Sequence, residues 1–154
     1  MNILIADDHA AVRQGLREIL ADALPEAHFF EASNREEVLR CLAKTKYAVL
    51  LLDINMPGTS GLDLLREVKR IYSRLPVIIV SVQPEDQYGM RSLQAGAAAY
   101  INKDKAPEEL ALATMKFLHA GNFTKPRIEG QQNARLEWAI DRFDQRGKSS
   151  ESSA

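Results

Sequence analysis

The sequence predicts an α/β fold, a doubly wound sheet of five parallel strands with helices on both faces. Short apolar runs alternate along the chain with segments in which apolar residues recur at helical spacing. Two of the runs, residues 49–52 and 77–80, contain no polar residue. Continuous apolar runs are typical of strands buried on both faces. Regular alternation of strands and helices favours right-handed crossovers in a parallel sheet.

The elements follow one another in a regular order. Strands are predicted at residues 2–6, 28–32, 47–52, 77–80 and 97–101. A helix is predicted after each strand, over residues 12–24, 34–42, 62–73, 84–95 and 107–118. Ser33 or Asn34 can cap the second helix. Gly96 suits the carboxyl end of the fourth helix, and Pro107 suits the first position of the fifth.

Composition limits the classes of protein to which the chain can belong. With 154 residues, 45% of them hydrophobic, it can bury one core and carry a modest appendage. A formal net charge of -1 gives no electrostatic reason to expect nucleic acid or an acidic membrane as the main partner. The single cysteine, Cys41, excludes an intramolecular disulfide and fits inert packing. No apolar run has the length of a membrane span, so we expect a cytoplasmic protein.

The sequence divides into a domain and a short carboxyl-terminal extension. We predict one domain at residues 1–120, a linker at 121–130, an amphipathic helix at 131–146 and a disordered tail at 147–154. The apolar stripe of that last helix consists of Leu136, Ala139, Ile140 and Phe143. Six basic and five acidic residues in 121–154 give a net charge of +1, which argues against a DNA-binding module. The helix therefore packs on the domain, binds a partner or dimerises the protein.

Polar side chains stand where the apolar strands end. They are Asp7 and Asp8 after the first strand, Asp53 after the third, Ser81 after the fourth and Lys103 after the fifth. The carboxyl ends of parallel strands lie on one edge of a sheet, so we expect these groups to converge. Crowded carboxylates favour a divalent cation with oxygen ligands, such as Mg²⁺. The Lys103 ammonium and the Ser81 hydroxyl could then hold phosphoryl oxygens.

This chemistry permits phosphoryl transfer onto a carboxylate, with Asp53 as the nucleophile. Asp8 would bind the metal directly, Asp7 directly or through water, and the backbone carbonyl of Asn55 is a further candidate ligand. His9 is left out of the metal set because imidazole prefers softer metals. Each acid alone could instead be a helix cap or a turn former.

These residues resemble the receiver domain of two-component response regulators. The resemblance rests on Asp7-Asp8-His9, on Asp53-Ile54-Asn55-Met56-Pro57-Gly58 with Gly61, on Ser81, and on the run from Ala95 to Asp104. The resemblance covers about residues 1–120. Within the family, the pattern is similar in particular to the NarL/FixJ/LuxR-type subfamily, whose receivers usually precede a helix-turn-helix module. The resemblance implies a CheY-like sheet with strand order 2-1-3-4-5.

The same resemblance implies a function in a phosphorelay. A sensor histidine kinase or phosphotransfer protein would phosphorylate Asp53, with Mg²⁺ (or Mn²⁺) held at Asp8, Asp53 and the Asn55 carbonyl and Asp7 assisting. Ser81 and Tyr100 would form a switch pair, in which Ser81 moves toward the phosphoryl group and Tyr100 rotates inward. Such a protein is a signalling switch whose own chemistry is self-phosphorylation and slow self-dephosphorylation, not a turnover enzyme. Homodimerisation stays open.

Two alternative functions are weighed against this one. A phosphohydrolase with an aspartyl-phosphate intermediate would resemble Asp-x-Asp at the nucleophile, and here position 55 is Asn. A transcriptional regulator would need a basic DNA-binding module, which residues 121–154 do not resemble. A truncated or atypical relative of such a regulator remains the second hypothesis.

Overall fold

The computed structural model describes residues 1–121. Its strands are β1 (Asn2–Ala6), β2 (His28–Ala32), β3 (Val49–Leu52), β4 (Val77–Ser81) and β5 (Ala99–Asn102). Its helices are α1 (Ala10–Ala23), α2 (Arg35–Lys44), α3 (Gly61–Ile71), α4 (Glu85–Gln94) and α5 (Ala106–Gly121), with a 3₁₀ turn (Lys103–Lys105) before α5. The predicted linker, the amphipathic helix at 131–146 and the tail at 147–154 lie outside the described residues, except for Gly121.

The strands form one parallel sheet in the order β2-β1-β3-β4-β5, as expected. β3 lies at its centre, with Leu52 beside Ala6 of β1 and beside Ile79 of β4. Because all five strands are parallel, the residues that follow them lie at one edge, the carboxyl edge. None of the helices in residues 1–121 is long and apolar enough to cross a membrane.

Two apolar layers explain the continuous hydrophobic strands. Leu50 and Leu52 point into one layer with residues of α2 and α3, and Val49 and Leu51 point into the other with residues of α1 and α5. All four side chains of β3 are at most 1% exposed. Burying a leucine or valine side chain stabilises the fold by about 1.5–3 kcal/mol. A polar residue in β3 would lose this contribution, because both faces of the strand are covered.

Local signals set most element ends. The side chain of Asn34 accepts a hydrogen bond from the Glu37 amide at 2.9 Å, and the Glu37 carboxylate accepts one from the Ser33 amide at 2.6 Å. These two bonds start α2 and resemble a capping box, except that the Glu37 carboxylate bonds the residue before the cap. Gly96 follows α4 at φ +109°, a left-handed conformation that glycine adopts without a steric penalty.

Most predicted boundaries shift by one to three residues, and the starts of β3, β5 and α5 are examples. β3 begins at Val49 instead of residue 47, although Tyr47 is buried, with its ring 5.4 Å from the Phe30 ring. β5 begins at Ala99 instead of residue 97. α5 begins at Ala106, one residue before Pro107, because the 3₁₀ turn leads directly into the helix.

Gly61 fixes how closely α3 approaches the loop after β3. A Cβ atom at this position would overlap the backbone of Ile54. We expect Gly61→Ala to lower the free energy of unfolding by about 1–3 kcal/mol, since the loop or the helix must move. Gly15→Ala is the matched control: a Cβ at Gly15, in α1, meets no atom within 4 Å, and the change should stabilise the helix by about 0.5–1 kcal/mol. Urea unfolding of the two variants measures both effects, and equal stabilities would contradict the close approach.

Candidate functional site

Two buried carboxylates lie side by side at the carboxyl edge of the sheet. Asp7 follows β1 and Asp53 follows β3, and the Asp53 amide donates a hydrogen bond to the Ala6 carbonyl at 2.9 Å. Their side chains are 1% and 2% exposed, respectively. Burying a carboxylate is costly unless a cation or hydrogen-bond donors compensate the charge, so the groups that surround this pair decide what the site can do.

Lys103 supplies the compensating charge from the far side of the sheet. Its ammonium lies 2.7 Å from Asp7 Oδ2 and 3.3 Å from Asp53 Oδ2, and its side chain is only 13% exposed. Lys103 begins the 3₁₀ turn directly after β5, so the ends of three strands meet at one ammonium group. The structure thus brings together three of the five groups that were predicted to converge at this edge.

Asp8 and His9 complete the acidic end of the site. Ligand atoms of Asp7, Asp8, His9 and Asp53 all lie within 4.8 Å of one another. The His9 ring nitrogen Nδ1 is 3.0 Å from Asp8 Oδ1, while its side chain is 67% exposed. His9, which the sequence left out of the metal set, contacts two of the acids, and its residue type gave no signal for this contact.

The donor set fits a hard divalent cation. Asp7 Oδ2 and Asp8 Oδ1 are buried oxygens that accept no hydrogen bond from the residues described, although the Lys103 ammonium and the His9 ring lie beside them. Three carboxylates face one ammonium, which leaves excess negative charge. Closely spaced carboxylate oxygens with unsatisfied lone pairs are suited to Mg²⁺ and similar ions. The carboxylates therefore form an acidic pocket whose chemistry suits a cation, with His9 at its exposed rim.

The environment shifts the pKa values of Asp53 and Lys103 upward. Burial raises the pKa of the Asp53 carboxyl and the Asp7 charge adds to the rise, while the Asn55 amide and the Lys103 ammonium oppose it without cancelling it. Burial alone would lower the pKa of Lys103, but its contacts with Asp7 and Asp53 outweigh that effect, so its pKa is raised. Lys103 therefore stays charged beside the carboxylates.

A polar network lies on the β4 side of Asp53. The Asn55 amide donates to Asp53 Oδ1 at 3.0 Å, and the Asn55 side-chain nitrogen lies 3.4 Å from the Ser81 hydroxyl. Ser81 is fully buried and also accepts a hydrogen bond from the Gln83 amide at 3.2 Å. Tyr100 is 5% exposed and donates its hydroxyl proton to the Gln83 carbonyl at 2.6 Å. Tyr100 thus occupies an inward position next to the site.

Gln83 is the member of this network that sequence reasoning missed. Its backbone amide meets Ser81, its carbonyl meets Tyr100, and its side chain lies 3.5 Å from the Asn55 side-chain oxygen. The available signal was its position two residues after the end of β4. Most of its contacts use backbone atoms, which residue type does not reveal.

The fold and this edge together define a class of protein. It is a doubly wound parallel α/β domain whose buried acidic pocket, at the carboxyl end of the central strand, is suited to a divalent cation and holds one lysine. The family described as "Response regulator receiver domain" matches residues 3–114. The chain belongs to this family, the receiver domain of two-component response regulators.

Individual relatives agree with this assignment. Response regulator GacA of Pseudomonas aeruginosa is 33% identical over 131 residues, which are 85% of this chain and 61% of GacA. Response regulator UvrY of Escherichia coli is 35% identical over 113 residues, 73% of this chain and 52% of UvrY. The chain thus spans about half to three fifths of the length of these curated relatives.

A solved structure shows the same fold. The response regulator protein TrrA from Thermotoga maritima, determined in complex with Mg(2+)-BeF, is 28% identical and superposes with a TM-score of 0.66. The similarity covers 75% of this chain and 97% of that chain.

The raised pKa of Asp53 predicts a pH-dependent stability difference. The folded protein binds a proton at Asp53 more tightly than the unfolded chain does. This proton contributes its full stabilisation below the unfolded pKa of about 3.9, and the contribution is lost as pH rises through the higher folded pKa. We expect Asp53→Asn to be more stable than the wild type at neutral pH, with the difference shrinking as pH falls. Urea unfolding at several pH values measures it, and Asp63→Asn, at a 72% exposed side chain, is the control. A wild type more stable than Asp53→Asn at neutral pH would contradict this reading.

Proposed function

We propose that this receiver accepts a phosphoryl group on Asp53 from a phosphohistidine donor, a sensor histidine kinase or a phosphotransfer protein. One observation carries the proposal: the buried Asp53 carboxylate lies at the end of the central strand, 3.3 Å from the Lys103 ammonium and within 4.8 Å of two further carboxylates. A nucleophile, a cation for the phosphoryl oxygens and an acidic metal site thus share one edge. Membership of the receiver family supports the same function.

In the transfer, an oxygen of Asp53 forms a bond to phosphorus while the bond from phosphorus to the donor's imidazole nitrogen breaks. The imidazole leaves with that electron pair and takes up a proton from water. Asn55 orients the nucleophile because its amide holds Asp53 Oδ1 at 3.0 Å. Lys103 is positioned to neutralise phosphoryl oxygens because its ammonium already lies between the two buried acids. Positioning and charge neutralisation are the main requirements of phosphoryl transfer.

Mg²⁺, or Mn²⁺ in its place, is the proposed cofactor. Asp8 and Asp53 would hold it through carboxylate oxygens, Asp7 directly or through water, and Asn55 through its backbone carbonyl. When bound, the ion neutralises the clustered carboxylates and the charge of the incoming phosphoryl group. The close grouping of the carboxylates of Asp7, Asp8 and Asp53 around a single ammonium supports this assignment.

Ser81 and Tyr100 are the proposed switch. Burial raises the pKa of the Tyr100 hydroxyl, and the nearby Ser81 hydroxyl partly offsets that rise. The backbone of Gln83 also links the two residues, because its amide donates to Ser81 and its carbonyl accepts from Tyr100. A phosphoryl group on Asp53 would place new acceptor oxygens near Ser81 and compete for its hydroxyl proton. Movement of Ser81 would then favour the inward position of Tyr100, with its hydroxyl bonded to the Gln83 carbonyl. A local change in charge thus alters the surface at α4, β5 and α5, which partners contact.

We also propose that this chemistry stops at self-phosphorylation and slow self-dephosphorylation. A phosphohydrolase of the Asp-x-Asp type places a second carboxyl two residues after its nucleophile to act as acid and base. Here Asn55 occupies that position, and an amide cannot take or give the proton. The acyl phosphate is therefore a signal that persists, which is the property that a switch needs.

Phosphorylation of Asp53 is directly testable. Incubation with Mg²⁺ and a small phosphoryl donor such as phosphoramidate should add one acyl phosphate per chain, and Asp53→Asn should abolish it because an amide is not a competent nucleophile. Borohydride reduction followed by peptide mass spectrometry identifies the modified residue. Asp63→Asn removes an exposed carboxylate of α3 and should label like the wild type. Undiminished labelling of Asp53→Asn would refute the assignment.

Cation binding provides an independent test without phosphoryl transfer. Mg²⁺ should raise the thermal midpoint of the wild type, since a ligand that binds only the folded state adds about 2.7 kcal/mol at one hundred times its dissociation constant. Asp8→Asn should lose most of this effect, because one carboxylate ligand is gone. Asp63→Asn should respond to Mg²⁺ like the wild type. A full Mg²⁺ response in Asp8→Asn would show that the ion binds elsewhere.

A further inference from the structure

A second concave surface lies at the opposite edge of the sheet from the phosphorylation site. It has a volume of about 1060 Å³ and is formed by the start of β1, the loop between α2 and β3, the loop between α3 and β4, and the end of α5. We call it the basal groove. The receiver function does not use it, because every group of the acidic site lies at the carboxyl edge.

The basal groove combines exposed apolar side chains with positive charge. Met1 and Ile71 line it and are 50% and 52% exposed. Among the residues that the structure describes, its charged lining side chains are Lys44, Lys46 and Arg74, and no carboxylate lines it. None of these three cations has an ion-pair partner within residues 1–118. Such a surface suits an occupant with an apolar stripe and an acidic flank.

The carboxyl-terminal extension has this pattern. In a helix at 131–146 the apolar stripe of Leu136, Ala139, Ile140 and Phe143 would run along one face. At about 100° per residue, one flank of that stripe carries Glu137, Asp141 and Asp144. The opposite flank carries Arg135, Arg142 and Arg146. The near-zero net charge of the segment therefore conceals a separation into one acidic and one basic side.

The connection between the two is short enough for intramolecular contact. Phe117 and Leu118, near the end of α5, line the basal groove themselves. Fourteen residues separate Gly121 from Leu136. A flexible chain of that length has a root-mean-square span of about 20 Å, so the apolar stripe is held close to the groove at a high effective concentration.

We propose that residues 136–144 of this chain dock as a helix in the basal groove, with the apolar stripe against Ile71 and Phe117 and the acidic flank toward Lys44, Lys46 and Arg74. The segment thereby covers an apolar, basic surface of its own receiver and leaves the edge that carries Asp53 open. Trp138 falls on the helix side opposite the stripe and stays outside the contact.

Hydrogen–deuterium exchange on the full chain tests the docking. In the wild type, backbone amides of residues 136–144 should exchange about tenfold or more slowly than in an unstructured peptide. The triple variant Lys44→Glu, Lys46→Glu, Arg74→Glu should lose this protection. The triple variant Glu137→Lys, Asp141→Lys, Asp144→Lys should lose it too. Combining all six changes restores complementary charge whichever residues pair, and should restore most of the protection.

Matched controls separate docking from general effects of charge. Arg40→Glu, Arg70→Glu, Arg91→Glu reverses three exposed cations outside the basal groove and should keep the wild-type protection. Amides of β3, measured in the same experiment, report whether each receiver is folded. The acidic-flank variant leaves the receiver core unchanged, so its result stands even if the groove variant unfolds.

Three outcomes would overturn the proposal. The first is unprotected exchange of residues 136–144 in the wild type. The second is protection that survives both triple reversals. The third is protection that rises with protein concentration together with a doubled mass in light scattering, which would assign the groove to the segment of a second copy. Protection that is independent of concentration, lost in each triple variant and regained in the combined variant supports docking within one chain.

Discussion

The Lys103 ammonium, held between Asp7 and Asp53, is the interaction on which the site depends. Two ionised carboxylates that are nearly inaccessible to water repel each other. The positive charge of Lys103 offsets this repulsion, so both can lie side by side at the carboxyl edge. The compensation is incomplete, as the raised pKa of Asp53 shows. The remaining negative charge favours a cation at the exposed side. The carboxylate that we propose as the nucleophile is therefore partly but not fully neutralised within the fold.

The fold could be predicted from sequence because its strongest signals are local. The apolar runs of β3 and β4 indicate buried strands, Asn34 indicates the start of a helix, and Gly96 indicates the end of one. The predicted starts at Tyr47 and Pro107 were wrong for a related reason. Tyr47 indicates burial and Pro107 indicates a backbone angle that a helix permits. Neither residue type shows which amide pairs with which carbonyl.

The parts of the site that consist of side chains could be predicted from the sequence, and the contacts made by backbone atoms could not. Asp7, Asp53 and Lys103 follow strands whose parallel arrangement brings them to one edge, so chain order was enough to foresee their convergence. The contribution of Gln83 comes largely from its backbone amide and carbonyl, and the sequence holds no signal for these contacts. The close approach at Gly61 could not be predicted either. A glycine in a sequence indicates a flexible backbone, and only the structure shows that the Ile54 backbone occupies the space that a Cβ atom would need.

A second half-buried lysine, Lys69, shows a different use of the same side chain. The Lys69 ammonium donates to the Ser73 carbonyl at 2.8 Å and to the Leu75 carbonyl at 2.7 Å, and burial lowers its pKa. A neutral amine still has two N–H bonds, the number that these two carbonyls require. The turn after α3 can therefore survive the loss of that proton in alkali. Lys103 differs, because its charge compensates two carboxylates and those carboxylates raise its pKa, so it keeps its proton to higher pH than Lys69 does.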